Sequence, residues 1–170
     1  WDPEEPRAAI KATIDAARGA GRKVAFTLSD GFVIDRHRDD FLALIEGGQI
    51  DILFSNEGEI CALAQTEDFE AALARFAPKV PLLISTRSEK GAVAIQGGAR
   101  FSCAARAVEH VIDTTGAGDL FAAGFLAGYV EKLPVEACLK LGAAAAAEII
   151  SHYGARPEAY LAALRRELGL

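Results

Sequence analysis

One heptapeptide, residues 113–119 with the sequence DTTGAGD, constrains the fold of this chain more than any other stretch. The segment before it, residues 107–112, is apolar enough to be extended. After it, small and apolar side chains recur at helical spacing through Tyr129. Three consecutive small residues between these segments permit a tight turn, so the pattern predicts a strand or loop, an elbow, and a helix that opens near Gly118.

The start of such a helix is suited to binding an anion. The first N–H groups of a helix have no partner within it, and the helix dipole adds partial positive charge at the same end. Asp119 falls in the first turn, beside those donors. A carboxylate there can accept a proton from a hydroxyl while the N–H groups bind the charge that develops on a transferring phosphoryl group. The stretch therefore contains the groups that phosphoryl transfer would use.

Two other glycine-rich motifs are excluded by their spacing. A dinucleotide-binding G-x-G-x-x-G would need glycine at position 121, where the chain has Phe121. A P-loop would need glycine followed by Lys and then Ser or Thr, and that triplet occurs nowhere in the chain. The remaining structural alternative is a helix start that merely happens to be rich in glycine.

Composition narrows the classes of function. The chain has 170 residues, enough for one sizeable domain, and a formal net charge of −6, so nucleic acid is not an expected partner. No apolar run reaches the roughly 18–20 residues of a membrane span, and we expect neither membrane insertion nor a signal peptide. The three cysteines lack metal-ligand spacing, and we expect buried thiols in a reducing, cytoplasmic setting. The chain begins at Trp1 and contains no Met, so we expect it to be part of a longer protein.

Helical and extended segments alternate along the chain, which predicts an α/β domain with a mainly parallel sheet. The predicted helices span residues 6–20, 39–46, 69–76, 134–150 and 157–168. The predicted strands span residues 24–29, 50–54 and 80–86, each apolar enough to be buried on both faces, and residues 92–95 and 100–103 form a hairpin about Gly97 and Gly98. No internal repeat or linker divides the chain, so one domain over residues 1–170 is expected.

A second polar feature follows the strand of residues 50–54. Asn56 and Glu59 open a helix at the carboxyl end of that strand, where open parallel sheets bind ligands. Their spacing of three places both side chains on one side of the first turn. They can therefore face one ligand, and a capping box that only starts the helix is the structural alternative.

Residues 113–126, DTTGAGDLFAAGFL, resemble the C-terminal motif of the PfkB-type, or ribokinase-like, carbohydrate and nucleoside kinases, and every constrained position of that motif is filled. The resemblance implies a three-layer α/β fold with helices on both faces of a mainly parallel sheet. This chain would be its nucleotide-binding, catalytic C-terminal part, without the lid and the N-terminal strands. It further implies that the backbone of Gly116, Ala117 and Gly118 forms an anion hole and that Asp119 is the catalytic base.

The resemblance also implies contacts with ATP and Mg²⁺. Asn56 and Glu59 match the family's Asn-x-x-Glu motif, which helps to place Mg²⁺ and phosphate, through water. The turn after the third strand matches a nucleotide-contacting segment at Thr86 and Gly91, although Ser88 stands where glycine is usual. Arg87 and Lys90 in this turn would bring positive charge to ATP, with solvated surface charge as the alternative.

Near the C-terminus the resemblance implies further contacts. The alanines of residues 143–147 provide a narrow helix face, for which core packing and adenine contact are both open. Residues 151–157 resemble the family's Gly-Ala-x-Pro turn near the nucleotide and a monovalent-cation site, with K⁺ as the expected ion. The expected ligands of that cation are Asp113, Thr115 and Gly154. The expected ATP-binding residues are Asn56, Thr86, Arg87, Gly91, Thr115, Gly116, Gly118, Ala147 and His152.

The sequence constrains the acceptor of the phosphoryl group less than it constrains the reaction. Residues 29–38 and 151–157 resemble bacterial members called adenosine-kinase-like, so adenosine is the favoured acceptor. A sugar kinase acting on ribose, fructose or a keto-deoxy sugar acid is the alternative, and a non-catalytic nucleotide-binding module is an alternative of another class. A homodimer through the lid is a further expectation from the resemblance. This chain alone is expected to bind ATP without phosphorylating an acceptor.

Overall fold

The computed structural model describes all 170 residues, which form helices and strands joined by loops. The helices are α1 (Glu4–Gly19), α2 (Gly31–Glu46), α3 (Glu57–Ala64), α4 (Phe69–Phe76), α5 (Ala117–Val130), α6 (Val135–Ile149) and α7 (Leu161–Glu167). The strands are β1 (Ala25–Thr27), β2 (Ile52–Asn56), β3 (Leu82–Thr86), β4 (Ala92–Gln96) and β5 (Ala99–Cys103), with a short 3₁₀ helix at Ser88–Lys90. None of the helices combines the length and the apolar character needed to cross a bilayer.

The five strands form one sheet in the order β1-β2-β3-β4-β5. β1 and β2 are parallel, with Phe26 opposite Leu53. Only Gly97 and Gly98, with φ of 57° and 83°, join β4 to β5, and a connection that short pairs two strands antiparallel. The predicted hairpin is therefore confirmed, as is the predicted α/β class with a mainly parallel sheet.

Burial along the first strand differs from the prediction. β2 and β3 are each buried at four consecutive positions, as expected for strands covered on both faces. In β1, Ala25 and Thr27 are exposed, whereas Val24 and Leu28 beside the strand are buried. The prediction that residues 24–29 are buried on both faces was therefore wrong, because this chain covers only one face of that strand.

Two helices begin elsewhere than predicted. α2 begins at Gly31 because Asp30 caps it, accepting a hydrogen bond of 2.7 Å from the N–H of Phe32. Its backbone leaves helical geometry at His37, with φ of −126°, and this kink interrupts the apolar periodicity by which a helix is predicted. α7 begins at Leu161, because residues 157–160 are a loop.

The chain consists of two compact units, of which the first comprises residues 1–85 and 95–99. Its core is formed by large apolar side chains from helices and strands, including the fully buried Ile34, Leu53, Ile60, Phe76 and Leu83. This unit contains Asn56 and Glu59. The assignment of all 170 residues to one domain stays a prediction.

The second unit, residues 86–94 and 100–170, is built on the close packing of α5 against α6. A Cβ atom on Gly124 would lie 2.7 Å from the carbonyl oxygen of Leu141, and one on Gly142 would lie 2.8 Å from that of Phe121. Backbones this close exclude any side chain at either position. Since α5 carries Asp119 in its first turn, this packing determines where that carboxylate lies within the unit.

Candidate active site

The elbow predicted at residues 113–119 forms at the start of α5, with Gly116 as the N-cap. Gly116 has φ of 81°, in the left-handed region that glycine adopts without strain. A Cβ atom there would lie only 3.1 Å from the Cβ of Ala155. Backbone conformation and packing therefore both require glycine at this position.

The N–H groups at this helix start are only partly used by the chain. Ala117 donates to the carbonyl oxygen of Thr114 at 3.1 Å, and Leu120 donates to that of Gly116 at 2.9 Å. The amides of Gly118 and Asp119 in the first turn, and that of the N-cap residue Gly116, have no acceptor within the chain. Free donors at the positive end of a helix form an anion site. The amide of Ala117, expected among the donors of the anion hole, is instead used by the turn, because residues 114–117 close on themselves.

Gly118 and Asp119 border open space. The φ of Gly118 is not positive, and a Cβ atom there would meet nothing within 4 Å, so neither backbone nor packing requires glycine. Asp119 is exposed, and its carboxylate has no hydrogen bond or ion pair within the chain. An unpaired carboxylate beside two free amides has the groups that proton acceptance and anion binding need, with room for a ligand.

Asp113 holds the elbow in place. Its Oδ1 accepts a hydrogen bond of 2.9 Å from the N–H of Thr115, and its Oδ2 accepts one of 3.0 Å from the N–H of Gly154. The Thr115 hydroxyl, together with the Gly154 and Thr115 amides, lowers the pKa of Asp113 to about 2, so this carboxylate is charged at neutral pH. The structure thus brings together the three residues predicted at a cation site, while the cation itself stays a prediction.

His152 and Ala147, both predicted to contact ATP, are largely covered by protein. The His152 side chain is 14% exposed, and its two ring nitrogens lie 3.3 Å from Glu148 Oε1 and 3.3 Å from the Tyr153 carbonyl oxygen. These contacts, that with the Tyr153 carbonyl foremost, raise the pKa of His152. Ala147 is 7% exposed, which favours the packing alternative for the alanine run. Both residues are explained without a nucleotide, and their contacts with ATP stay predictions.

The predicted nucleotide turn after β3 contains the 3₁₀ helix, and the N–H of Arg87 closes it by donating to the Gly91 carbonyl at 2.7 Å. Ser88, at the position where glycine is usual, has φ of 51°, so the serine adopts a left-handed form. Gly91 has φ of 85°, and a Cβ atom there would lie 2.0 Å from the Cys103 carbonyl oxygen. Gly91 therefore has a structural role of its own. Contacts of Thr86, Arg87 and Gly91 with ATP stay predictions.

In the first unit, Asn56 and Glu59 form the capping box that was the structural alternative. Asn56 Oδ1 accepts a hydrogen bond of 2.7 Å from the N–H of Glu59. The two Glu59 oxygens accept hydrogen bonds from the Asn56 N–H at 3.0 Å and the Asn56 side-chain amide at 2.7 Å. Each carboxylate oxygen has further lone pairs, so the capping box does not prevent contact with a ligand or its water.

A cavity of about 430 Å³ lies beside this pair and is lined also by Asp30, Phe32 and Asp35. Burial, and repulsion from the Asp30 carboxylate, raise the pKa of Glu59, which is only 8% exposed. A cation bound there would favour the charged carboxylate. Mg²⁺ prefers oxygen ligands and is commonly held by one or two carboxylates together with substrate phosphates, so these residues fit Mg²⁺.

Two features of these sites were missed at the level of sequence. Asp30 and Asp35 were not predicted to border the cavity, although Asp30 follows the first predicted strand as Asn56 follows the second. Because β1 and β2 are parallel neighbours, the residues that follow them lie at the same edge of the sheet, and this was the available signal. Glu148, which contacts His152, was not singled out, and its position in an alanine-rich helix gave no local signal.

Comparisons with known proteins show which proteins share this sequence and fold. A family model described as pfkB family carbohydrate kinase matches residues 2–160. The solved structures of adenosine kinase from Sinorhizobium meliloti (44% identity, TM-score 0.95) and of a probable sugar kinase protein from Rhizobium etli (43% identity, TM-score 0.96) each cover 99% of this chain. Cytidine kinase from Thermococcus kodakarensis is 37% identical over 108 residues, which are 62% of this chain and 39% of that protein.

This chain spans about half the length of the two solved relatives, 51% of each. The family match nevertheless extends over nearly the whole chain and includes the elbow, the turn after β3 and the start of α3. The sequence motif, the fold and the family model agree. The chain belongs to the pfkB family of carbohydrate kinases.

Proposed function

We propose that the protein transfers the γ-phosphoryl group of ATP to a primary hydroxyl of a nucleoside, with adenosine as the favoured acceptor. One observation carries the proposal: the free amides of Gly118 and Asp119 lie beside an exposed, unpaired Asp119 carboxylate at the start of α5. Membership of a kinase family supports the reaction class. Because this chain is about half as long as its solved relatives, the activity is proposed for the whole protein.

In the proposed mechanism, Asp119 accepts the proton of the acceptor hydroxyl as the oxygen attacks the γ-phosphorus of ATP, and the bond from this phosphorus to the β–γ bridging oxygen breaks to release ADP. The free amides of Gly118 and Asp119, at the positive end of the α5 dipole, bind the charge that develops on the transferring group. Gly116 gives the turn the conformation that exposes these donors. Most of the acceleration comes from positioning and charge stabilisation, since phosphoryl transfer requires little covalent chemistry from the protein.

Mg²⁺ and K⁺ are proposed to bind at different sites. Asn56 and Glu59 would hold Mg²⁺ through water, since both Glu59 oxygens already accept hydrogen bonds. When bound, Mg²⁺ neutralises charge on the phosphate oxygens. Asp113 brings a full negative charge to the predicted K⁺ site with Thr115 and Gly154. Thr86, Arg87 and Gly91 remain the proposed nucleotide contacts of the turn after β3.

The relatives compared above include nucleoside kinases and a probable sugar kinase, and we favour a nucleoside acceptor. Two of the three proteins compared above are named as adenosine kinase and cytidine kinase. The third is named as a probable sugar kinase, so a sugar kinase is the second candidate. A binding module without activity is disfavoured by Asp119, because a carboxylate beside the free amides repels a bound phosphate and so does not serve binding alone.

The substitution Asp119→Asn in the full-length protein tests the assignment of the base. We expect kcat to fall by about 10²- to 10⁴-fold, the range of a lost general base, while the Kd for ATP stays the same. Steady-state kinetics and calorimetric titration with ATP provide the two numbers. The control is Glu136→Gln, which changes an exposed carboxylate in the first turn of α6. Unchanged turnover in Asp119→Asn would contradict the mechanism.

A coupled assay of ADP release tests the acceptor. The full-length protein is supplied with MgATP, K⁺ and, separately, adenosine, cytidine, other nucleosides, ribose and fructose. We expect strong turnover with adenosine. Turnover with a sugar alone would keep the mechanism and replace the acceptor, whereas ATP binding without turnover on any acceptor would favour the binding module.

A further inference from the structure

A buried carboxylate stands at an unfavourable place in α6. Glu148 lies in the last turn of this helix, where the dipole places partial negative charge and favours basic side chains. Its side chain is nevertheless only 10% exposed. A buried charge in such a field is costly unless hydrogen bonds hold it, so the helix alone does not explain this residue.

The hydrogen bonds of the Glu148 side chain are all made with residues that follow it in the chain. Its Oε1 accepts from the N–H of Glu158 at 2.8 Å and from the N–H of Ala159 at 2.7 Å, and it lies 3.3 Å from His152 Nε2. Its Oε2 is buried without a hydrogen-bond partner. One oxygen atom thus closes the loop of residues 151–159 (the C-terminal loop) at its beginning and at its end.

The C-terminal loop contacts the elbow between these two attachments. The N–H of Gly154 donates to Asp113 Oδ2 at 3.0 Å, and the Cβ of Ala155 occupies the space next to Gly116. The N–H of Ile112 also donates to the Ile150 carbonyl oxygen at 2.8 Å, just before the loop. The backbone of the elbow is therefore held by a loop whose shape depends on Glu148.

We infer that Glu148 is a positioning residue for phosphoryl transfer: by closing the C-terminal loop it holds Asp113 and Gly116, and so aims the free amides of Gly118 and Asp119. The inference rests on the proposed function of that elbow. Glu148 lies outside the set of residues expected to touch ATP, the acceptor or a cation. Its effect passes through backbone hydrogen bonds, and loss of the carboxylate should loosen the elbow without unfolding α6.

The test compares Glu148→Ala, Glu148→Gln and Glu136→Ala in the full-length protein. Glu136→Ala removes the same side chain from the same helix at an exposed position, and so is the matched control. We expect Glu148→Ala to lower kcat/KM for ATP by about tenfold or more, since small displacements of catalytic groups have such effects, with KM for the acceptor unchanged. Glu148→Gln keeps an acceptor oxygen for the two amides and should restore much of the loss.

Amide hydrogen exchange gives a readout that does not depend on activity. In Glu148→Ala we expect faster exchange in peptides covering residues 113–118 and 151–159, with unchanged exchange in the remainder of α5 and α6. If Glu148→Ala does not fold, Glu148→Asp replaces it, because this change withdraws the carboxylate by one methylene group and should show the same direction.

Two outcomes would overturn the inference: kinetics and exchange equal to those of Glu136→Ala, or faster exchange spread evenly over the second unit, which would indicate a merely structural role. Failure of the proposed function is distinguishable. If the wild-type protein transfers no phosphoryl group but Glu148→Ala still loosens residues 113–118, then Glu148 does hold the elbow and only the proposed reaction is wrong.

Discussion

At the scale of single residues, the two glycines of the elbow differ in physical role. Gly116 is required by a φ of 81° and by the nearness of Ala155. Gly118 is required by neither, because its Cβ position is open and its φ is not positive. Next to free amides, such a glycine leaves space for a ligand.

The substitution Gly118→Ala should therefore separate stability from activity. Alanine in a helix is favoured over glycine by about 0.5–1 kcal/mol, so we expect an equal or slightly higher Tm. The added methyl group enters the proposed phosphate site, and kcat/KM for ATP should fall by about tenfold or more, as for lost transition-state donors. Thermal unfolding and steady-state kinetics of the full-length protein check both parts. A lower Tm with unchanged kinetics would show that Gly118 serves packing.

At the same scale, the side chain of Glu59 is compatible with two roles, helix capping and contact with a metal ion. The sequence left a capping box and a metal contact open, and the structure contains the capping box. It also adds what spacing does not show, namely burial of the carboxylate, the nearby Asp30 and a cavity. These features depend on which elements pack around α3, and they leave the metal role a proposal.

At the scale of elements, the second unit depends on two helices that approach through glycine. Gly124 of α5 faces the backbone of Leu141, and Gly142 of α6 faces the backbone of Phe121. Carbonyl oxygens cannot move aside as the end of a side chain can. Gly128 differs, since the nearest atoms to a Cβ there would be side-chain atoms, the Leu141 Cδ1 at 3.0 Å and the Cys138 Sγ at 3.1 Å, and the nearest backbone atom, the Cα of Cys138, lies at 3.4 Å.

We expect Gly142→Ala to destabilise the protein and Gly128→Ala to be nearly neutral. Overpacking costs about 1–3 kcal/mol, which exceeds the roughly 0.5–1 kcal/mol that alanine gains in a helix. Separation of α5 from α6 would also displace the first turn of α5, so kcat should fall in Gly142→Ala. Chemical denaturation and kinetics of both variants provide the measurement. Equal stabilities would contradict the assigned role of the close contact.

At the scale of the whole molecule, the proposed ligand is an anion whereas this chain is acidic. The formal net charge is −6, so long-range attraction cannot draw ATP to this chain. Local donors must provide the affinity, and the structure offers free amides at a helix start and the basic residues of the turn after β3. Binding should therefore be specific to the nucleotide and its metal.

MgATP should stabilise the folded protein by mass action. At about 100 times its Kd, a ligand that binds only the folded state adds roughly 2.7 kcal/mol to the free energy of unfolding. We expect a corresponding rise in Tm for the wild type and for Asp119→Asn, and a smaller rise for Gly118→Ala. Thermal unfolding across a range of MgATP concentrations measures this, with ATP plus EDTA as the control. A Tm that is independent of MgATP at every concentration would contradict nucleotide binding.

The sequence by itself determined the class of fold, the elbow and the family. Alternating periodicities predict α/β, and the spacing of residues 113–126 excludes other glycine-rich motifs, because turn conformation and helix initiation are local properties of the chain. The local pattern did not predict the start of α2, which is kinked at His37. It also did not predict the exposure of β1, of which only one face is covered.

Only the tertiary structure decided which of these residues act together. The hydrogen bond from Gly154 to Asp113 and the closure of the C-terminal loop by Glu148 join residues that are separated in sequence. The amides of Gly118 and Asp119 stay free because no such segment supplies an acceptor for them. The physical reason is that hydrogen bonding and burial depend on which segments the fold brings into contact. Spacing along the chain determines these contacts only within a single turn.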